Sequence, residues 1–219
     1  MTIEYDYPDL RPLTSGASFS LIIQHLYYAH LLRYSTPDLL KDLTKSVKIA
    51  TKNKLQSLCD LGYLVNNGGV LVSTHKTLDL LENQGYSKKL LPQPARGNGS
   101  ELYNSLQLAK LIKHPLYKIL LYPHFDYVIP DGLLVLQDGD RYQLNFIEVE
   151  AKKPNWKEHL EGKRANYERL ARDERVYRYW QGVAPHVGLP VPKIEDFKFQ
   201  VRCFSEITFD WRGWRFESP

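Results

Sequence analysis

Apolar residues crowd the segment from Phe19 to Tyr34, where leucine and tyrosine recur densely and predict a first buried helix. In Thr36-Pro37-Asp38 an N-capping threonine precedes a proline whose fixed φ suits a first helical turn, so a short second helix is predicted from Pro37 to Leu43. The stretch from about Val47 to Asp60 separates two faces. Thr51, Leu55 and Leu58 fall on one side, Lys45, Lys48, Lys52 and Gln56 on the other, and Gly62 ends the pattern. The period then changes from helical to extended. Tyr63-Leu64-Val65 and Val70-Leu71-Val72 flank Asn66-Asn67-Gly68-Gly69, residues that tolerate the positive φ of a tight turn, so a β-hairpin is predicted. Thr74 is placed to cap a fourth helix through Glu82, closed by Gly85.

The pattern breaks from Pro92 to Ser100, where two prolines and two glycines exclude a helix interior. A linker over 92–100 is expected, dividing domains at 1–91 and 101–219. Beyond it, Ser100 can cap a helix from Glu101 to about Lys113, with Leu102, Leu106, Ala109 and Leu111 or Ile112 inward. Tyr117 to Tyr122 and Tyr127 to Leu136 read as strands, Gln137-Asp138-Gly139-Asp140 as a turn, and Tyr142 to Ala151 as a third strand. A long amphipathic helix from Trp156 to about Tyr179, with Trp156, Leu160, Tyr167 and Leu170 inward, precedes a late strand from Phe197 to Phe204. The first half thus has the order of a winged helix-turn-helix, and the second the order α-β-β-β-α-β of a layered α+β or α/β core.

Composition narrows this picture without redrawing it. With 219 residues, 43% hydrophobic and 25% charged, the chain is a folded one long enough for two small cores. Its net charge of +4 suits a polyanionic partner and by itself decides little. Cys59 and Cys203 are the only cysteines, which excludes a disulfide framework and a four-cysteine zinc site. A reducing, cytoplasmic setting is expected, with no membrane association, because no apolar run approaches the roughly 20 residues of a membrane span. The seven histidines show no metal-ligand pairing, and phosphate-loop, dinucleotide and G-x-S-x-G signatures are missing from the sequence.

The candidate chemistry lies in Pro130-Asp131 and in Glu148-Val149-Glu150-Ala151-Lys152. Alternation along a strand puts Phe146, Glu148, Glu150 and Lys152 on one face, with Ile147, Val149 and Ala151 on the other. A hairpin from Tyr127 to Lys152 would bring Asp131 to the same end of the sheet as these charges. Two hard oxygen ligands a few ångströms apart suit Mg²⁺ or Mn²⁺. Asp131 and Glu150 are then the expected metal ligands, and Lys152 the group that orients water and stabilises charge on a scissile phosphate. Two roles are open to Glu148: ligand of a second metal, or partner of a basic residue on the long helix. The plain alternative is an exposed strand end on which Lys152 pairs with a neighbouring glutamate.

With Pro130-Asp131 as one half and Glu150-Ala151-Lys152 as the other, the region from Ser100 to Phe204 resembles the PD-(D/E)xK nuclease superfamily. The resemblance implies a restriction-endonuclease-like core, and Glu101, on the preceding helix, as a further metal-site acid. The whole chain looks like the replication-relaxation family of plasmid and mobile-element proteins, whose signatures would here be Pro130-Asp131 and Glu148-Val149-Glu150. The expected function is a Mg²⁺-dependent DNA endonuclease or nicking protein of a mobile element. A homodimer, or other replication or mobilisation proteins, are the expected partners besides DNA.

In the amino-terminal half, a reading helix in the major groove would present Lys45, Lys48, Lys52 and Gln56, with Thr51 and Asn53 at the margin. Lys163, Arg164 and Tyr167, one to two turns below the exit of the motif strand, are candidates either to brace the site, as the resemblance implies for such a helix, or to contact phosphate. Glu158, Glu161, Glu168, Asp173 and Glu174 interleave with the basic residues of that helix, a pattern also typical of a solvated face. Two rivals share the sequence: a catalytically inactive DNA-binding accessory for replication, relaxation or mobilisation, and a nuclease acting on RNA or on its own restriction site.

Overall fold

The computed structural model describes residues 19–46, 48–95, 101–113, 118–125, 127–138, 141–149, 156–204 and 214–216. They form a mixed α+β protein with two small sheets, and the chain divides into two compact units, Met1–Leu106 and Gln107–Pro219.

The first unit runs α1 (Phe19–Leu32), β1 (Tyr34–Ser35), α2 (Pro37–Thr44), α3 (Lys48–Asp60), β2 (Leu64–Asn67), β3 (Val70–Ser73) and α4 (His75–Asn83). Local sequence accounts for much of it. The Thr36 side chain accepts the Leu39 amide at 3.2 Å, Pro37 occupies the first turn, and Lys45 closes α2 in the left-handed region at φ 52°. Gly68 and Gly69, with φ of 62° and 91°, make the β2–β3 turn. The Asn66 side chain accepts the Gly69 amide at 2.8 Å and closes the loop. β3 is the centre of a three-stranded antiparallel sheet ordered β1-β3-β2. Leu26, Leu40, Leu55, Leu58, Leu64 and Leu81 meet in its core. Thr74 is the N-cap residue of α4, as expected, and its carbonyl accepts the Leu78 amide at 3.3 Å, but its side chain makes no cap bond: the hydroxyl donates to the Gly62 carbonyl at 2.8 Å and ties α4 to the end of α3.

His30 is fully buried and joins three segments. Its Nε2 lies 2.8 Å from the Pro92 carbonyl, which can only accept, so Nε2 carries the proton and Nδ1 accepts from Ser73 Oγ at 2.9 Å. Leu91 and Pro92 are buried accordingly, so the first residues of the expected linker pack onto this unit, while 96–100 lie outside the described residues. The division falls within α5 (Leu102–Ile112), whose Ser105 hydroxyl donates to the Leu32 carbonyl at 2.7 Å. Leu106 was expected inward and is exposed, because Ser105, Gln107, Leu108, Ala109 and Leu111 form the buried face.

The second unit contains β4 (Lys118–Leu121), β5 (Gly132–Asp138), β6 (Arg141–Val149), α6 (Trp156–Arg172), α7 (Arg175–Val183), β7 (Phe199–Phe204) and β8 (Trp214–Phe216). The sheet order is β4-β5-β6-β7-β8, antiparallel except for the parallel β6–β7 pair that the helical crossover permits. Three expectations are corrected. β5 begins at Gly132 instead of Tyr127: Tyr122 is left-handed at φ 51° and the Phe125 amide bonds the Val128 carbonyl, a turn that precedes the strand. The long helix is two helices, since Glu174 is left-handed at φ 53°. β8 was not anticipated; it pairs with β7 through Phe199, Gln200 and Val201. Phe146 packs against Tyr167 of α6 and Phe199 of β7 on one side of the sheet, and Leu170 and Trp180 are buried as well. On the opposite side, a Cβ added to Gly132 would lie 3.4 to 3.6 Å from Ile119, Leu121 and Leu108, so α5 packs close against the start of β5.

Candidate functional site

The β5–β6 register pairs Gly132 with Ile147, which brings Asp131 opposite Glu148 at the end of the hairpin. Asp131 is half-buried there. Its Oδ2 accepts the Val149 amide at 2.7 Å, and its carbonyl accepts the Tyr122 amide at 3.1 Å. The aspartate is therefore held on both sides by backbone, at the last described residue of β6. Glu150, Ala151 and Lys152 follow directly in the chain and lie outside the described residues.

Glu148 is fully buried and faces α6. Its Oε2 accepts from Lys163 Nζ at 2.7 Å and its Oε1 from the Tyr167 hydroxyl at 2.7 Å. Both oxygens are engaged, one by an ammonium and one by a phenol. Of the two roles open to Glu148, the structure gives it the partner on the long helix. Burial also explains why the pairing has to be complete, since a carboxylate removed from water without a cation costs several kcal/mol, about 3–5 when one partner is deleted. Of the two roles expected for Lys163, bracing the site or contacting phosphate, the bond to Glu148 is the bracing one, and the Lys163 side chain is 21% exposed. Sequence spacing put Lys163 and Tyr167 near the motif and did not show that they converge on one glutamate.

The other described site residues have surroundings of their own. Glu101 lies exposed ahead of α5 in the first unit, where its charge, after burial itself, helps raise the Tyr34 hydroxyl above its ordinary pKa. Arg164 is exposed and hydrogen-bonded to Glu168 at 3.1 Å. Among the described residues no three of His, Cys, Asp and Glu are grouped to hold a metal ion. Asp131 fits a hard divalent cation by the chemistry of its carboxylate oxygens. Glu148 does not fit, since the groups on both its oxygens would compete with a metal.

On the first unit, Lys52, Asn53 and Gln56 are exposed along α3, and Lys45 is exposed at the turn before it. The Lys48 side chain lies outside the described residues. Thr51 is withdrawn from the contact set: it is 2% exposed, and its hydroxyl lies 2.6 Å from Ser46 Oγ. Ser46 in turn sits 2.8 Å from Thr44 Oγ1 and 3.3 Å from His25 Nε2. His25 Nδ1 lies 2.7 Å from the Leu21 carbonyl, so that nitrogen carries the proton and Nε2 accepts. Burial lowers the His25 pKa, opposed by this backbone bond, with Lys54 adding to the fall. This polar chain links α1, the end of α2 and the start of α3. None of its members except Thr51 carried a sequence signal.

No family model, curated protein or solved structure matches the chain. Among the described residues no helix is long and apolar enough to cross a membrane.

Proposed function

We propose that the chain is a DNA-binding protein whose second unit hydrolyses phosphodiester bonds with Mg²⁺ or Mn²⁺. The observation that carries this reading is the Asp131 carboxylate on the Val149 amide. Glu150 follows Val149 directly in the sequence, so the order Pro-Asp, then Glu-x-Lys, is that of the PD-(D/E)xK signature. With Glu148 occupied by Lys163 and Tyr167, Asp131 and Glu150 are the residues that would hold the metal. The metal would supply Lewis acidity and a water of lowered pKa. Lys152 holds the attacking water and balances charge on the phosphate, and the Val149 amide fixes the Asp131 rotamer.

The first unit supports the DNA-binding half. Its order α-β-α-α-β-β, with the Asn66–Gly69 turn between β2 and β3, is that of a winged helix. In that reading α3 lies in the major groove, with Lys52 and Gln56 outward, Lys45 at the flanking backbone and Lys48 on the same helix. Buried polar contacts to Thr51 and Ser46 hold the start of α3. Lysines on phosphate give affinity with little sequence preference.

The test is cleavage of supercoiled plasmid with Mg²⁺ or Mn²⁺ by the wild type, Asp131→Ala and Lys152→Ala proteins. Cleavage by the wild type alone is expected. Identical behaviour of all three proteins would remove the hydrolase and leave a second reading, a binding accessory for replication or mobilisation, which the sequestration of Glu148 also suits. Duplex cleavage needs two sites, so a homodimer on DNA is expected for an enzyme that cuts both strands.

A further inference from the structure

Two arginines on neighbouring turns of the α6–α7 region share one aromatic ring. The Arg169 guanidinium lies 4.4 Å from the centre of the Tyr127 ring and that of Arg175 lies 5.5 Å from it. The Tyr127 hydroxyl donates to Asp173 Oδ2 at 3.2 Å, and the same oxygen stands 3.8 Å from Arg169 Nε and 3.7 Å from Arg175 Nε. Both distances exceed the 2.7–2.9 Å or so of a charge-assisted hydrogen bond. Arg172 reaches the same phenol electrostatically: the Tyr127 pKa is raised, by burial first and then by Asp173, while Arg169 and Arg172 act to lower it.

An ordinary helix-surface ion pair looks different. Arg164 and Glu168, also four residues apart, meet at 3.1 Å. Arg169 and Asp173 have that spacing and do not close the pair, because the guanidinium is turned onto the ring. Two arginines therefore flank one tyrosine with one carboxylate between them, and the Arg169 side chain is 61% exposed. Stacking on a tyrosine fixes the plane of a guanidinium while leaving its outer N–H edge for a planar or tetrahedral oxyanion. Immobilising that side chain then costs little when a ligand arrives. The cluster also adjoins the candidate site. Asn166, one turn past Lys163 on α6, places Nδ2 3.5 Å from the Tyr127 carbonyl, and Tyr127 precedes Asp131 by four residues.

We infer that Tyr127, Arg169 and Arg175 form a contact for the phosphodiester backbone of a nucleic acid entering the Asp131 site. This surface rests on the DNA-acting reading above and adds to it the place where the second unit grips its substrate. No metal is needed for the grip, so it is measurable in EDTA.

The experiment is fluorescence anisotropy of a labelled duplex over a salt series in EDTA, comparing the wild type with Arg169→Gln/Arg175→Gln, Tyr127→Leu, Asp173→Asn and, on the first unit, Lys52→Gln. Each lost phosphate contact flattens the plot of log K against log salt by about 0.9, so the double variant should lose about 1.8 and bind several-fold more weakly at low salt. Tyr127→Leu should shift the same way by less, and Asp173→Asn should steepen the plot. If Lys52→Gln weakens binding while the three variants of the cluster match the wild type, the inference is overturned and the DNA-binding reading stands. If the wild type fails to bind any duplex or single strand, the reading and the inference fall together.

Discussion

Replacing Lys163 with methionine should unfold the second unit at a much lower temperature, and the size of the loss follows from the burial of its partner. Glu148 is 0% exposed and its Oε2 sits 2.7 Å from Lys163 Nζ. Lys163→Met keeps most of the side-chain volume and removes the cation, leaving the Glu148 carboxylate in a dry site without that ammonium. Deleting one member of a buried pair costs about 3–5 kcal/mol, and the partial exposure of Lys163 argues for about 3. In a unit of this size that is a fall in melting temperature of roughly 10 °C or more. Tryptophan fluorescence isolates the event, because Trp156, Trp180, Trp211 and Trp214, all the tryptophans of the chain, belong to the second unit. The loss should shrink under mild acid. In the variant the folded state can neutralise Glu148 with a proton that the unfolded chain does not bind, so stability rises as pH falls. Glu148→Gln/Lys163→Met should recover most of the deficit, since neither charge is then buried. A Lys163→Met protein melting within about 2 °C of the wild type, or a double variant no better than the single one, would refute the reasoning.

Three further outcomes test other parts of the structure. Burial lowers the His30 pKa to about 4, opposed by its bond to Pro92 and by Glu82, with Arg33 and His75 adding to the fall. The unfolded chain therefore binds the extra proton between about pH 6.5 and 4, and the first unit should lose up to about 3 kcal/mol across that window, with His25 contributing in the same direction. Far-ultraviolet circular dichroism melts at stepped pH measure this loss, and a His30→Gln protein should show a shallower decline. Gly132→Ala should cost under about 1 kcal/mol and Gly132→Val about 1–3, because the added methyls press on Ile119, Leu121 and Leu108; urea titration distinguishes them. Leu58→Ala, at 0% exposure in the first core, should lower stability by about 2–5 kcal/mol and leave the tryptophan-reported melt of the second unit in place.

Features written in neighbouring residues were legible without a structure. Thr36 and Pro37 start α2 where the cap and the ring require it, and Asn66 to Gly69 make the turn between β2 and β3, because each effect acts within a few bonds. The inward face of α3 followed from spacing alone, as Thr51, Leu55 and Leu58 share one side of a 3.6-residue helix. What the sequence could not decide were choices between equally good local states. Tyr127 to Asp131 is β-prone, yet β5 begins only at Gly132, after the turn at Tyr122 and Phe125, and Glu174 breaks a helix whose composition would continue it. The end of β6 shows the same division. The charged face of Glu148 was visible in the alternation, but whether its carboxylate served water, a metal or a cation depended on what α6 brought opposite. Only the tertiary fold set Lys163 and Tyr167 there and turned Arg169 onto Tyr127, because a side chain's partner across a sheet or between a strand and a helix is fixed by packing over distances that no local propensity reaches.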